Sequence, residues 1–368
     1  MASTEDQDII PTIIALAVIG ITIHLTNAVG ILTTLIAKLN LKRKAMQKAS
    51  EDADASVTGV FIHPVKSLRA VSLPQAQLDY KGFHGDRRFM VCYPAPRWQG
   101  DTRHRFLTQR QCPSLATVVA KLDEDSLVLE CGDQSIEIFT EVEAGSKRRT
   151  FDAGIWDDQV AVEDMGNEAA KFLQAIVDAD EDCRSGDEGD SPASKSLFQK
   201  VRLVEHCVND REAPAKFVPS SAKTWLGKRP QVSLTDGFPI LIACEASLEE
   251  LNKKLKEAGK DPISMSNFRP NIVIKGTNPF EEDKWKHISI GDKVFAIVRA
   301  CSRCKQSCTN QQTGAVSTEP IEVMKSFRAL GENETDVFFA QNAIPLGTGT
   351  IKVGDEVRII DRGDPIYY

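Results

Sequence analysis

The sequence predicts an α+β protein, rich in strands, preceded by one transmembrane helix. Three observations lead there. Residues 9–36 form an apolar run without a single acidic or basic side chain. The segments that follow are short, rich in β-branched residues or alternating in polarity, and bounded by Asp and Gly, as strands are. Two segments carry helical spacing instead.

Taken in order, the tail 1–8 is acidic, with Glu5, Asp6 and Asp8. The run Ile9–Ile36 exceeds the roughly 20 apolar residues that a spanning helix needs, with His24 and Asn27 as its strongly polar side chains. A cleaved secretory signal has a basic front and a shorter apolar stretch; here Lys38, Lys42, Arg43, Lys44 and Lys48 lie behind the run. That flank places the basic side, and the body with it, in the cytosol. Residues Ala37 to Ala55 read as a basic, helix-prone linker.

The body opens with strand-like "VTGVFIHPV" (Val57–Val65). Further strands are expected at Arg87–Tyr93, Thr117–Leu122, Ser126–Cys131 and Ser135–Phe139. "EDMGNEAAKFLQAIV" (Glu163–Val177) sets Ala169, Phe172, Leu173 and Ile176 on one helical face. This first unit spans 56–178. Acidic, Ser- and Gly-rich "DADEDCRSGDEGDSPASKS" has too little apolar content for a core, so 179–200 reads as a flexible boundary loop. A second unit, 201–361, holds a helix at Cys244–Gly259, where Leu248, Leu251 and Leu255 repeat, and strands at Pro270–Gly276, Lys293–Ala300 and Thr350–Ile360. A short tail, 362–368, closes the chain.

With 368 residues, 42% hydrophobic and 26% charged, the composition is that of a globular protein with a sizeable core. The net charge of −7 disfavours a nucleic-acid binder. The nine cysteines show no regular disulfide framework and indicate a reducing compartment. Signatures for nucleotide loops, zinc proteases and serine hydrolases are absent.

The chemistry-bearing stretch is "VRACSRCKQSCTNQQTGAVS" (Val298–Ser317). Cys301, Cys304 and Cys308 lie within eight residues at the end of an expected strand. Structural zinc and iron–sulfur clusters want four ligands, and no second pair is nearby. Packed thiols, or one exposed thiolate acting as metal ligand or nucleophile, stay open. Cationic and hydroxyl groups recur at other strand ends: Lys66 and Ser67 in "HPVKSL", Arg87 and Arg88 in "GDRRF", Arg269 and Asn271 in "NFRPNIVI", Ser302 and Arg303 in "CSRC". Together they suit a phosphate-bearing ligand.

The same stretches carry a resemblance. "HPVKSL", "GDRRFMV", "FLTQRQCPSLATV", "FPILIACEASLEELN", "NFRPNIVIKG" and "ISIGDKVFAIVRACSRCKQSCTNQQTG" occur in the order found in MOSC-domain proteins. The chain resembles the mitochondrial amidoxime-reducing component family most closely, over roughly residues 56–361. The resemblance implies a MOSC β-barrel core with an N-terminal barrel-like α/β region. It also implies a molybdenum cofactor, with Cys304 as the protein ligand to molybdenum. Lys66, Ser67, Arg88, Arg269, Asn271, Ser302 and Arg303 would hold the pterin and its phosphate, with Gly237 as a possible backbone donor. The implied activity is oxygen removal from N-hydroxylated substrates, amidoximes or hydroxylamines. Electrons would come from a cytochrome b5-type protein and its NADH-dependent reductase, at the outer mitochondrial membrane; an anchor in endoplasmic reticulum or peroxisome would look alike in sequence. Lys305, Gln306 and Ser307 after the ligand cysteine are more polar than the family pattern, and Cys308 is an addition to it. The alternative is a cofactor carrier or sulfur-transfer MOSC module without reductase activity.

Overall fold

The computed structural model describes residues 29–49, 53–95, 104–141, 146–183, 198–207, 211–215, 218, 223, 226, 229–333 and 335–367. Helix α1 covers residues 29–48, so the boundary expected at residue 36 between anchor and linker falls inside one continuous helix. Its first part is apolar and exposed, with Val29, Ile31, Leu32, Leu35, Ile36 and Leu39 all open to solvent. Its second part is seated. Leu41 is buried with Val232, Phe238 and Val298, Ala45 packs on the same cluster, and Lys44 pairs with Asp361. Residues 9–28 of the expected anchor and 184–197 of the expected acidic loop lie outside the described residues. Among the described residues, no helix is long and apolar enough to cross a membrane.

The body is β-rich α+β and contains two closed barrels, with strands numbered in chain order. The larger barrel is made of β1 (Ala55–Ile62), β14 (Ile240–Cys244), β15 (Ile272–Lys275), β16 (Trp285–Ile290), β17 (Lys293–Ser302), β18 (Phe338–Pro345) and β20 (Glu356–Arg362). Their order is β15-β14-β18-β17-β16-β20-β1, and β1 pairs back onto β15 to close the ring; β3 (Val71–Leu73) extends it beside β1. Alternation along β1 sends Ala55 and Val57 inward and, past a register shift between Val57 and Gly59, Val60 and Ile62, where they meet Ile242, Ile274, Trp285, Ile288, Phe295 and Val357. Burial of such side chains contributes about 1.5–3 kcal/mol each.

The smaller barrel has five strands: β6 (Phe89–Pro94), β7 (His104–Phe106), β11 (Thr150–Ile155), β12 (Asp158–Asp164) and β13 (Arg202–His206), closed by the pairing of β13 with β6. Short β2 (Val65–Lys66) runs parallel to β6. Met90, Cys92, Phe106, Ala153, Val162 and Val204 share its buried cluster. A meander of β8 (Val119–Leu122), β9 (Ser126–Cys131) and β10 (Gln134–Phe139) packs with helix α2 (Asn167–Ala179) through Leu129, Ile138, Leu173 and Ile176. A third small sheet joins β4 (Gln75–Asp79), β5 (Gly82–Phe83) and β19 (Gly349–Lys352). Helices α3 (Glu245–Glu257) and α4 (Ile321–Lys325) cover the larger barrel near Phe268 and Phe339.

Two expectations differ from the fold. Glu163 and Asp164 belong to strand β12, because Gly166, at φ 103, turns the chain before α2 begins. The run Thr350–Ile360 is two strands in different sheets, since Gly354, at φ 91, reverses direction between β19 and β20. The two barrels are laced together by their strands. β1 lies ahead of the smaller barrel in sequence yet pairs with β15 and β20 of the larger one. β13, beyond the acidic stretch, returns to the smaller one.

Candidate functional site

The larger barrel's β17 delivers "CSRC" to the junction of the two barrels. The strand ends at Ser302, and Lys305–Cys308 forms a 3-10 turn in which the Ser307 amide and hydroxyl both donate to the Cys304 carbonyl at 2.9 Å. Asn267 Nδ2 donates to the Ser307 and Thr309 carbonyls at 3.0 and 3.2 Å, and the Arg303 amide donates to the Val337 carbonyl at 2.8 Å. The loop is thus held from both sides. Cys304 is exposed, while Cys308 is buried and Cys301 half-buried. Arg303 donates to Cys301 Sγ at 3.0 Å and to the Phe268 carbonyl at 2.9 Å, and its Nε is buried without a partner.

Cys304 borders a cleft of about 850 Å3, counted to its open mouth. Lys66, Ser67, Gly237, Arg269, Asn271, Ser302, Arg303 and Cys304 all line it, although they come from distant parts of the chain. Arg88 does not join them, which corrects its expected placement. It turns to β13 and pairs with Glu205, and its neighbour Arg87 faces the cleft instead. The cause is local. Arg87 sits at φ 48, and this left-handed residue rotates the next side chain to the opposite side.

Ser67 (φ 69), Arg87 (φ 48) and Arg269 (φ 55) are all non-glycine residues in the left-handed region, and all three line the cleft. Such residues store about 1–3 kcal/mol each and cluster where structure serves function. Each is held by its surroundings. The Arg87 amide donates to the His63 carbonyl at 2.7 Å, and its guanidinium reaches Asp86 and Asn271 Oδ1. Arg269 Nη1 donates to the Leu68 carbonyl at 2.7 Å and to Gln311 Oε1 at 3.0 Å. Asn271 is held on both sides, Nδ2 donating to the Phe61 carbonyl and Oδ1 accepting from the Leu241 amide, so it fixes Arg87.

The electrostatics follow from this crowding of cations. Burial pushes the Lys66 ammonium down to about 8, against the opposing pull of Asp236, which accepts from it. Burial and the neighbouring Arg87 charge also push Arg269 downward. Burial would raise Asp86, yet Arg87 and His63 hold it down to about 2. Buried cations without an equal count of anions gain when an anion arrives. Arg87, named from the sequence among the candidate cations, takes the place expected of Arg88, and polar residues that sequence reasoning missed include Thr108, Arg110, Thr235 and Asp236. Asp236 was signalled by its place beside Gly237 in "TDGFPIL". Thr108 and Arg110 come from "FLTQRQ" and reach the cleft through the crossing of the two barrels.

The comparisons with known proteins agree with this architecture. A MOSC N-terminal beta barrel domain matches residues 54–180, and a MOSC domain matches residues 229–358. The chain is 26% identical over 318 residues to mitochondrial amidoxime reducing component 2 of Bos taurus, covering 85% of this chain and 82% of that protein. It is 26% identical over 317 residues to mitochondrial amidoxime-reducing component 1 of Homo sapiens, covering 83% of each. It is also 25% identical over 297 residues to molybdenum cofactor sulfurase of Oryza sativa subsp. japonica, covering 79% of this chain and 32% of that protein. A barrel delivering "CSRC" to a cationic cleft, joined to a second barrel and matched in both halves, makes this chain a MOSC-domain protein with the mitochondrial amidoxime-reducing components among its relatives.

Proposed function

We propose that this protein is a molybdenum-cofactor-dependent oxidoreductase that removes oxygen from small N-hydroxylated compounds of the amidoxime or hydroxylamine type. The observation that carries the reading is an exposed, unbonded thiol, Cys304, on the edge of a cleft where Lys66, Arg87, Arg269 and Arg303 converge. The names of the relatives point to the same chemistry. The residues fit the cofactor: a soft thiolate suits molybdenum, and the orphaned Arg303 Nε and crowded cations suit a phosphate.

When bound, the cofactor would supply the two-electron removal of oxygen. The chain's own residues then do the following. Cys304 is the metal ligand. Lys66, Arg269 and Arg303 neutralise the phosphate-bearing pterin, and Ser67, Ser302 and the Gly237 backbone orient it. Asn271 and Asp86 hold Arg87 toward the cleft. The open mouth admits the substrate and lets water carry protons. Electrons come from a partner, a cytochrome b5-type protein served by an NADH-dependent reductase. The apolar exposed start of α1 and the sequence before it anchor the protein in a membrane, a mitochondrial one in keeping with the relatives' names and the outer one by the family resemblance.

The test uses full-length protein in detergent, from a host that makes the cofactor. Molybdenum near one atom per chain and reduction of benzamidoxime with an artificial electron donor are expected, both falling to background in Cys304→Ala. Zinc or iron in place of molybdenum sinks the reading. Molybdenum without reduction, but with sulfur delivery to an acceptor, favours the activity named in the rice relative.

A further inference from the structure

A second cationic cavity lies at the other end of the smaller barrel. Its empty space is about 1200 Å3, open mouth included, and its walls include His104, Arg148, Arg149, Asp164, Lys200 and Arg202. The strand pairings fix its place. Pro94 ends β6 opposite His104 at the start of β7, and Thr150 starts β11 opposite Glu163 near the end of β12. The cleft with Cys304 lies toward the other ends, where Arg87 precedes β6 and Thr108 and Arg110 follow β7. Strands of six residues separate the two, roughly 20 Å at about 3.3 Å per residue.

Four cations face one carboxylate here, in a chain whose net charge is −7. The carboxylate is already spent: Asp164 takes a two-pronged contact from Arg202, Nε donating to Oδ2 at 2.8 Å, and also accepts from the Gly166 amide at 3.0 Å. Arg148 is held in place by the carbonyls of Phe139 and Thr140, which leaves its charge uncancelled apart from Glu205, 3.8 Å away. Arg149 rests over the Phe151 ring at 5.5 Å. Among the described residues, neither the Arg149 guanidinium nor the Lys200 ammonium makes a hydrogen bond or an ion pair. Lys200 is held at φ 64, a conformation that a lysine does not choose. His104 contributes an aromatic face to the wall, its ring centroid 4.2 Å from that of Phe151 behind it with the planes tilted by 37°, and burial with the Arg149 charge pushes the imidazole below its ordinary value. Helix α2 starts at the same cavity, with no side chain capping its first amides. Cations gathered without partners repel each other, and an anion offsets that repulsion.

We infer that this cavity is a second ligand site, distinct from the Cys304 cleft, which binds a small phosphorylated compound through its phosphate. Forked guanidiniums and a helix start suit a tetrahedral dianion. The aromatic wall provides a surface for a flat organic part. The inference does not rest on the molybdenum reading.

The test titrates inorganic phosphate, and separately phenyl phosphate, into full-length protein by calorimetry at constant ionic strength, with thermal melts alongside. Because the Cys304 cleft also suits phosphate, each titration is repeated in Arg269→Ala: a saturable component is expected to persist there and to weaken about tenfold or more when Arg149→Ala/Lys200→Ala is added. Both replaced cations are exposed, so the double variant should keep the wild-type circular dichroism and remain interpretable. Tighter binding of phenyl phosphate assigns the ligand as an ester whose organic part packs on His104; equal affinity assigns the site to phosphate alone. The inference is overturned if the component that persists in Arg269→Ala is unaffected by adding Arg149→Ala/Lys200→Ala, if no component persists in Arg269→Ala, or if sodium chloride gives the same stabilisation.

Discussion

Lys66 shows how one buried group links the site to pH. Its ammonium is held near 8, below the ordinary 10.5, so the folded protein releases that proton before the unfolded chain does. Between pH 8 and 10.5 the unfolded state binds more protons, and stability gains as pH rises through that window. Affinity for anions in the Cys304 cleft runs the other way. Pyrophosphate binding, measured in Arg149→Ala/Lys200→Ala to silence the second cavity, should hold up to pH 8 and fall steeply above it. Asp86 shifts stability in the same direction as Lys66 does, in a lower window. Its carboxylate is held down to about 2 from 3.8, so its contribution is complete above pH 4 and is lost as pH falls toward 2. Asp86→Asn should cost about 2 kcal/mol at pH 7 and flatten the acid limb of the stability curve between pH 4 and 2; denaturant melts at pH 7 and across pH 2–5 check both.

At the scale of elements, α1 is part of the body as well as a lead into it. Leu41 is buried against Phe238, which itself lines the Cys304 cleft. Leu41→Asp places a charge in that cluster and should cost about 2–4 kcal/mol, read as a lower midpoint in denaturant. A fragment starting at Ser56 should melt lower than one starting at Lys38, because it also loses Asp54, whose carboxylate accepts from the Ile359 amide at 2.8 Å. The turn into β5 makes a second case. Gly82 has φ 113, and an added Cβ would lie 2.6 Å from the Pro239 carbonyl oxygen. Gly82→Ala should destabilise by about 2–3 kcal/mol and, through Pro239, loosen the Gly237–Phe238 wall. Weaker pyrophosphate binding than the stability loss alone explains is the outcome to look for.

At the scale of the molecule, the barrels are joined by strands and by a polar clamp. Gln109 and Gln311 exchange amide hydrogen bonds at 3.0 and 2.8 Å, fully buried, and Gln311 also receives Arg269. Gln311→Leu leaves Gln109 and Arg269 short of partners and should lower the unfolding midpoint by roughly 2–5 °C. The transition should stay single, because β1 and β13 still lace the barrels together; two resolved steps in calorimetry would contradict that coupling.

Much of this was legible in the chain. Strands such as Ser126–Cys131 and the helix ending at Gly259 follow from local periodicity and turn chemistry. The residue types at strand ends named the cleft's lysine, serines and arginines, since charge and hydroxyl content is written in composition. What the sequence could not decide is geometry set by distant partners. Arg87 rather than Arg88 faces the cleft because a left-handed residue, held by His63, Asp86 and Asn271, reverses the alternation. β1 closes the larger barrel because its inward face matches the core of β15 and β20, some 200 and 300 residues away. The second cavity exists because closure of the smaller barrel brings His104, Arg149 and Lys200 to one rim. Local patterns fix which chemistry a chain carries, and long-range pairing fixes which of its charges meet.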